Sequence, residues 1–228
     1  DVKKIYKKEN LKYLSHWGTE PTLTLPRFKK FYEDVIDYFP NFRNIMISSN
    51  FMTSPTVLAN FIKQFNKNRK IYFVIQLSLD GPPWICDRNR VKGSTKKIVS
   101  NFFRFLELIK DEDFHNVQLN AKSTISDWAI KLLADREKFI EYFNFYDEIV
   151  EKASEITKDN KNVNSFQICS PTLAVPMDYT KEDGLNYAKI VGYQFEFEHY
   201  FKHVEPTNIY LERLKRLKLE KDSYIRNP

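Results

Sequence analysis

The chain is short of cysteine and glycine and has no long apolar run, and each shortage excludes something. Only two cysteines, Cys86 and Cys169, occur among 228 residues. They lie far apart, so neither a disulfide framework nor an all-cysteine metal site can be built within the chain, and each is expected as a reduced thiol of a cytoplasmic protein. No stretch approaches 18 apolar residues and no signal peptide opens the sequence, so no membrane partner is expected. No repeat period or low-complexity segment is present. Five glycines are few for a chain of this size, and Gly18, Gly81 and Gly93 fall at strand or loop ends.

What is there is a core. With 42% apolar and 15% aromatic residues, the chain can bury a substantial interior as one large domain or part of one. The 36 basic residues are interleaved with 30 acidic ones, a balance that allows nucleic-acid binding without indicating it.

Tyr72 to Leu79 is uncharged and rich in β-branched and aromatic residues, which predicts a strand covered on both faces. Asp80-Gly81-Pro82-Pro83 ends it, because Gly81 admits positive φ and the prolines lack N–H groups. A charged loop through Asp87, Arg88, Arg90 and Lys92 then leads to Gly93-Ser94-Thr95 and a helix from about 96 to 110. In order, the chain predicts helix 1–12, strand 13–17, helix 26–39, strand 43–49, helix 55–65, strand 72–79, helix 96–110 and strand 116–124. Helix 126–156, bent or in two pieces, strand 163–169 and helix 181–201 follow. Residues 206–228 read as a basic helix or linker with Leu211, Leu214 and Leu217 three apart. Strands alternating with helices of ten or more residues predict an α/β fold with a parallel sheet.

Each strand ends in small polar residues: Gly18-Thr19-Glu20-Pro21, Ser48-Ser49-Asn50, Ser78-Leu79-Asp80-Gly81, Lys122-Ser123-Thr124 and Cys169-Ser170. The carboxyl edge of such a sheet is where ligands bind. The plainer explanations are ordinary turns, helix N-caps and solvated ion pairs. His16 beside Trp17 reads as a packed strand residue. His199 and His203 are four apart but lack the Glu of a zinc-protease motif.

The succession HWGTEPTL, IMISSN, IQLSLDGPPWICDRNRVKGS and a strand ending Lys-Ser-Thr resembles radical S-adenosylmethionine enzymes, in the peptide- and protein-modifying branch with SPASM-type extensions. The resemblance covers about residues 13–190. It implies a partial (β/α)6 TIM-like barrel over residues 1–205, here its second through sixth strands. It also implies S-adenosylmethionine and a [4Fe–4S] cluster as cofactors, a 5′-deoxyadenosyl radical for hydrogen abstraction, and a peptide or protein substrate.

The implied contacts follow from the motifs. Gly18, Thr19, Glu20 and Pro21 fall on the family's GGEP-type motif, which receives the methionine ammonium; Thr19 departs from the usual glycine. Ser48, Ser49 and Asn50 fall on the ribose-binding strand end, and Ser78 and Arg90 on positions that bind the methionine carboxylate. Asp80, with Gly81 and Pro82, shapes that loop. Lys122 ends the next strand, and Leu173 lies in the segment that flanks the adenine. The three-cysteine cluster motif is absent, and with Asp1 as first residue this leads to the expectation that the cluster belongs to an N-terminal segment of a longer parent or to a partner chain. The alternative is a catalytically inactive barrel serving as a protein- or nucleic-acid-binding scaffold.

Overall fold

The computed structural model describes residues 2–16, 18, 20–66, 71–110, 116–159, 163–168, 172–173 and 180–196. The tail 206–228, Thr19, Trp17, Cys169 and Ser170 lie outside them.

The strands β1 (Tyr13–His16), β2 (Asn44–Ser49), β3 (Tyr72–Ser78), β4 (Asn116–Lys122) and β6 (Val163–Ile168) form one parallel sheet. A second, two-stranded parallel sheet pairs β5 (Thr124–Ile125) with β7 (Thr172–Leu173). The helices are α1 (Val2–Ile5), α2 (Leu25–Tyr38), α3 (Pro55–Asn66), α4 (Pro83–Asn89), α5 (Ser94–Ile109), α6 (Asp127–Leu133), α7 (Arg136–Thr157) and α8 (Lys181–Glu196).

The large sheet runs in chain order, β1-β2-β3-β4-β6, with no reversal. Right-handed crossovers between such neighbours put every connecting helix on the same face. The contacts agree, since α2 packs on α3, α3 on α5 and α5 on α7. The faces therefore differ. Ile45, Ile47, Phe73, Ile75, Leu77, Val117 and Leu119 point into the helical layer and are buried. Tyr72, Val74, Ser78, Gln118 and Asn120, on the other face, are half-buried. The sequence predicts Tyr72–Leu79 to be covered on both faces; among the described residues the helices pack on one, and Gln76 on the other is nonetheless 8% exposed.

The helical layer is built on phenylalanine. Phe39, Phe42, Phe65, Phe73, Phe102, Phe105 and Phe139 are all buried, each stabilising the fold by roughly 1.5–3 kcal/mol relative to exposure. Phe51 meets Phe102 and Phe105 edge-on at centroid separations of 5.5 and 5.6 Å, the geometry that aligns ring quadrupoles.

Two local expectations change, and a third resolves to one of its two forms. Of residues 2–12 only Val2–Ile5 is helical, the rest being turns and irregular chain before β1. The charged loop after β3 contains α4, which the prolines begin, because Pro83 at a first helical position gives up an N–H that would have no partner anyway. The helix over 126–156 is two helices, broken where Asp135 accepts from the N–H groups of Glu137 and Lys138 at 2.9 and 3.1 Å and caps α7.

Candidate ligand-binding rim

The carboxyl ends of β1, β2, β3 and β4 form one polar rim, and Glu20 ties two of them together. After β1 the chain turns at Gly18, whose φ is 137°, and Glu20 then caps a short 3-10 helix, Pro21–Leu23. Its Oε1 accepts from Thr22 N at 3.2 Å, Thr22 Oγ1 at 2.6 Å and Ser49 Oγ at 2.7 Å. Its Oε2 accepts from Asn50 N at 2.7 Å. These bonds engage about as many lone pairs as a carboxylate offers. Thr22 also bonds Thr53 through their hydroxyls. Glu20 thus acts as a clamp between β1 and β2, and a bound ammonium would meet its charge with the oxygens already held by neutral donors. Pro21 is buried in the same corner.

Ser49 and Asn50 shape the turn after β2. Ser49 Oγ accepts from Phe51 N at 3.0 Å, and Asn50 Oδ1 accepts from Met52 N at 2.9 Å. Phe51 follows them at φ 50°, a left-handed conformation that costs a bulky residue on the order of 1–3 kcal/mol. Asn101 of α5 holds it there, donating Nδ2 to Phe51 O at 2.7 Å and Thr53 O at 3.2 Å. Nothing in the local pattern of β2 indicates this turn. A small polar residue on an otherwise apolar helical stripe, Asn101, is the only trace of it in the sequence.

Across the rim, Ser48 of β2 and Ser78 of β3 bring their hydroxyls to 3.0 Å. Lys122, the last residue of β4, pairs in register with Ser78 and is half-buried. Glu20, Ser48, Ser49, Asn50, Ser78 and Lys122 are therefore gathered at one edge. Leu173 lies in the small sheet, its backbone registered with Ile125, just beyond the end of β4.

Asp80 is buried at 6% exposure. Arg90 donates Nε to its Oδ2 at 3.0 Å and Nη2 to its Oδ1 at 3.2 Å. The Arg90 guanidinium loses charge stability through burial, but the bonds and charge of Asp80 outweigh that and raise its pKa. The fork expected to bind a methionine carboxylate is turned to a carboxylate of the protein itself. Ser123 Oγ donates to Asp80 O at 2.8 Å, and Tyr146 donates its hydroxyl to Leu79 O. Gly81 has φ 144°, and a Cβ there would lie 3.0 Å from Tyr142 Cε2, so that turn needs glycine.

The next turn is capped from a distance. Asp87 of α4 accepts from Gly93 N, Ser94 Oγ, Thr95 N and Thr95 Oγ1 at 2.6, 3.2, 2.8 and 2.5 Å. The Thr95 hydroxyl and N–H lead in lowering the Asp87 pKa from 3.8 to about 2. Asn89 Oδ1 accepts from Ser126 Oγ and Trp128 Nε1, each at 3.2 Å. Arg88 lies 3.9 Å above the Trp128 ring centroid. The segment after β3 is thereby latched to the start of α6.

His16 is packed, as its setting predicts: its ring nitrogens meet Tyr32 OH at 3.1 Å and Thr24 Oγ1 at 3.3 Å. Burial lowers its pKa. Among the described residues no group of three or more His, Cys, Asp or Glu is arranged to hold a metal ion. Cys86 is a buried free thiol near Ser94 Oγ at 3.9 Å. Two surface hollows lie away from the rim. One, between Glu107, Lys110, Lys152 and Glu155, is lined by solvated ion pairs; the other lies outside α5 at Val99 and Phe103.

No protein-family model matches the chain, and neither a curated protein nor a solved structure matches it. No helix among the described residues is long and apolar enough to cross a membrane.

Proposed function

We propose that this chain is the second-to-sixth-strand portion of a partial (β/α)6 barrel and that its rim binds S-adenosylmethionine. The observation that supports this reading is the joining of three successive strand ends at one edge by direct hydrogen bonds, Glu20 to Ser49 and Asn50, and Ser48 to Ser78. The strand order supports the barrel half of it, because an unreversed parallel sheet with helices on one face is how a (β/α) barrel segment is wound.

The ligand's groups and the rim's groups are complementary. An ammonium finds the Glu20 charge, a ribose diol finds the Ser48 hydroxyl and the Asn50 turn, and a carboxylate finds the Ser78 hydroxyl. Arg90 contributes at one remove, by holding Asp80 and with it the turn that follows Ser78. The residues of this chain do not fit the [4Fe–4S] cluster, which takes a set of closely spaced cysteines where this sequence has two distant ones. In this reading the cluster and the electron it supplies belong to a segment or partner chain outside this sequence. The residues here bind and orient the sulfonium nucleoside next to a peptide or protein substrate.

Equilibrium titration of S-adenosylmethionine into the protein, purified without oxygen and assayed for iron and sulfide, tests this. Saturable binding is expected, weakened about ten-fold by Ser48→Ala with Ser78→Ala, the scale of two neutral hydrogen bonds. An absence of binding, or an affinity indifferent to both substitutions in a folded variant, overturns it. Steep loss of nucleic-acid binding with salt, without nucleoside binding, would favour the scaffold alternative.

A further inference from the structure

The sheet face turned away from the helices offers more hydrogen-bond donors than acceptors. Register sets Ser48, Gln76 and Asn120 side by side across β2, β3 and β4, and sets Ser78 beside Lys122 one layer nearer the rim. Gln76 is 8% exposed and has no hydrogen-bond partner among the described residues. Asn120 Oδ1 accepts from Gln118 Nε2 at 3.2 Å, which leaves the Asn120 amide hydrogens with no acceptor among the described residues. Lys122 is half-buried and has no ion pair among the described residues. No acidic side chain stands on this face of β1–β4.

The Gln76 side chain is largely buried and the Lys122 ammonium half-buried, so a ligand there would meet polar groups already partly withdrawn from water. Such groups are ordinarily satisfied. Neighbouring strands lie about 4.8 Å apart and alternate residues about 6.6 Å along a strand. Register and strand spacing therefore put Gln76, Asn120 and Lys122 close enough on one face to contact a single small anionic group.

We propose that this face is a carboxylate subsite, in which Lys122, Gln76 and Asn120 receive the carboxylate of an acidic substrate. The proposal deepens the reading above and rests on it, since that reading sets a peptide or protein substrate next to the rim-bound nucleoside. One cation among neutral donors suits a monoanion. A phosphate dianion would call for a second cation, an arginine fork or a helix N-terminus. The subsite also lies deeper than the rim, because Gln76 and Asn120 each precede the rim residue of their strand by two positions.

The test uses N-acetyl-L-glutamate N-methylamide and its neutral isostere, N-acetyl-L-glutamine N-methylamide, titrated into the protein while the side-chain amide resonances of Gln76 and Asn120 are followed by NMR. S-adenosylmethionine is titrated separately on the same sample. The acidic probe should shift both resonances saturably and bind at least about ten-fold more tightly than the neutral one. Lys122→Met should abolish that preference, and Asn120→Asp should repel the acidic probe, with circular dichroism showing each variant folded. Equal affinity for the two probes, or a preference that survives both substitutions, overturns the subsite. So does competition in which S-adenosylmethionine displaces the acidic probe and loses its own affinity in Lys122→Met, because the lysine then serves the methionine carboxylate. Selective binding of the acidic probe without any S-adenosylmethionine binding would uphold the subsite and sink the nucleoside reading.

Discussion

Arg90 grips Asp80 through two near-parallel hydrogen bonds of 3.0 and 3.2 Å, with the aspartate side chain 8% exposed and the arginine 27%. This pair closes the segment that follows β3 and fixes where Ser78 ends its strand. Arg90→Met should lower stability by about 2 kcal/mol, the range for hydrogen bonds to a charged group, discounted for the exposure of the arginine. Arg90→Lys should recover little, because an ammonium does not span both carboxylate oxygens. Urea unfolding of both variants and of Asp80→Asn, read as a double-mutant cycle, checks this; strict additivity would mean the pair is not coupled.

Asp87 supplies the pH dependence. Its folded pKa, about 2, lies below its ordinary 3.8, so its contribution is fully present above the ordinary value and is lost as pH falls towards the folded one. Asp87→Ala should cost about 1 kcal/mol near neutral pH, the usual worth of an N-cap. The gap between wild type and variant should close between about pH 4 and about pH 2. Denaturant midpoints followed across that range measure it, and a constant gap would mean that the carboxylate does not cap α5.

Gly81 and Gly93 both have positive φ, at 144° and 82°, but a Cβ on Gly93 would meet nothing within 4 Å. Gly93→Ala should therefore cost only the backbone strain, about 1 kcal/mol. Gly81→Ala must also displace the Tyr142 ring and should cost about 2–3 kcal/mol. Pairing Gly81→Ala with Tyr142→Leu should return part of the difference in thermal or urea unfolding; no recovery would locate the strain elsewhere.

Asn101 holds Phe51 in its left-handed turn from 50 positions away. Asn101→Ala should cost about 1–2 kcal/mol by leaving the Phe51 carbonyl unsatisfied. It should also increase amide exchange at Asn50 and Met52, the backbone that Glu20 and Asn50 pin. Unchanged exchange at both would show that the turn holds without Asn101.

Most of the element order was readable along the chain, because strand and helix periods are local. Phe28, Phe31 and Val35 announce α2, and the alternation in Tyr72–Ser78 announces β3. Proline misled after β3, where Pro82-Pro83 reads as a break and in fact starts α4. Alternation alone also could not say which face of β3 the described helices cover, since that depends on which strands become its neighbours.

The sequence by itself determined an aromatic-cored α/β chain, a parallel sheet and polar residues at the ends of its strands, since composition and period act over a few residues. Only the tertiary structure decided what those polar ends do to one another. Arg90 turns to Asp80, Asp87 reaches forward to Thr95, and Glu20 closes on Ser49 and Asn50, while Gln76 and Lys122 have no such partner among the described residues. Side-chain partners are chosen by direction and distance in the folded chain, and neither is carried by a residue's position along it.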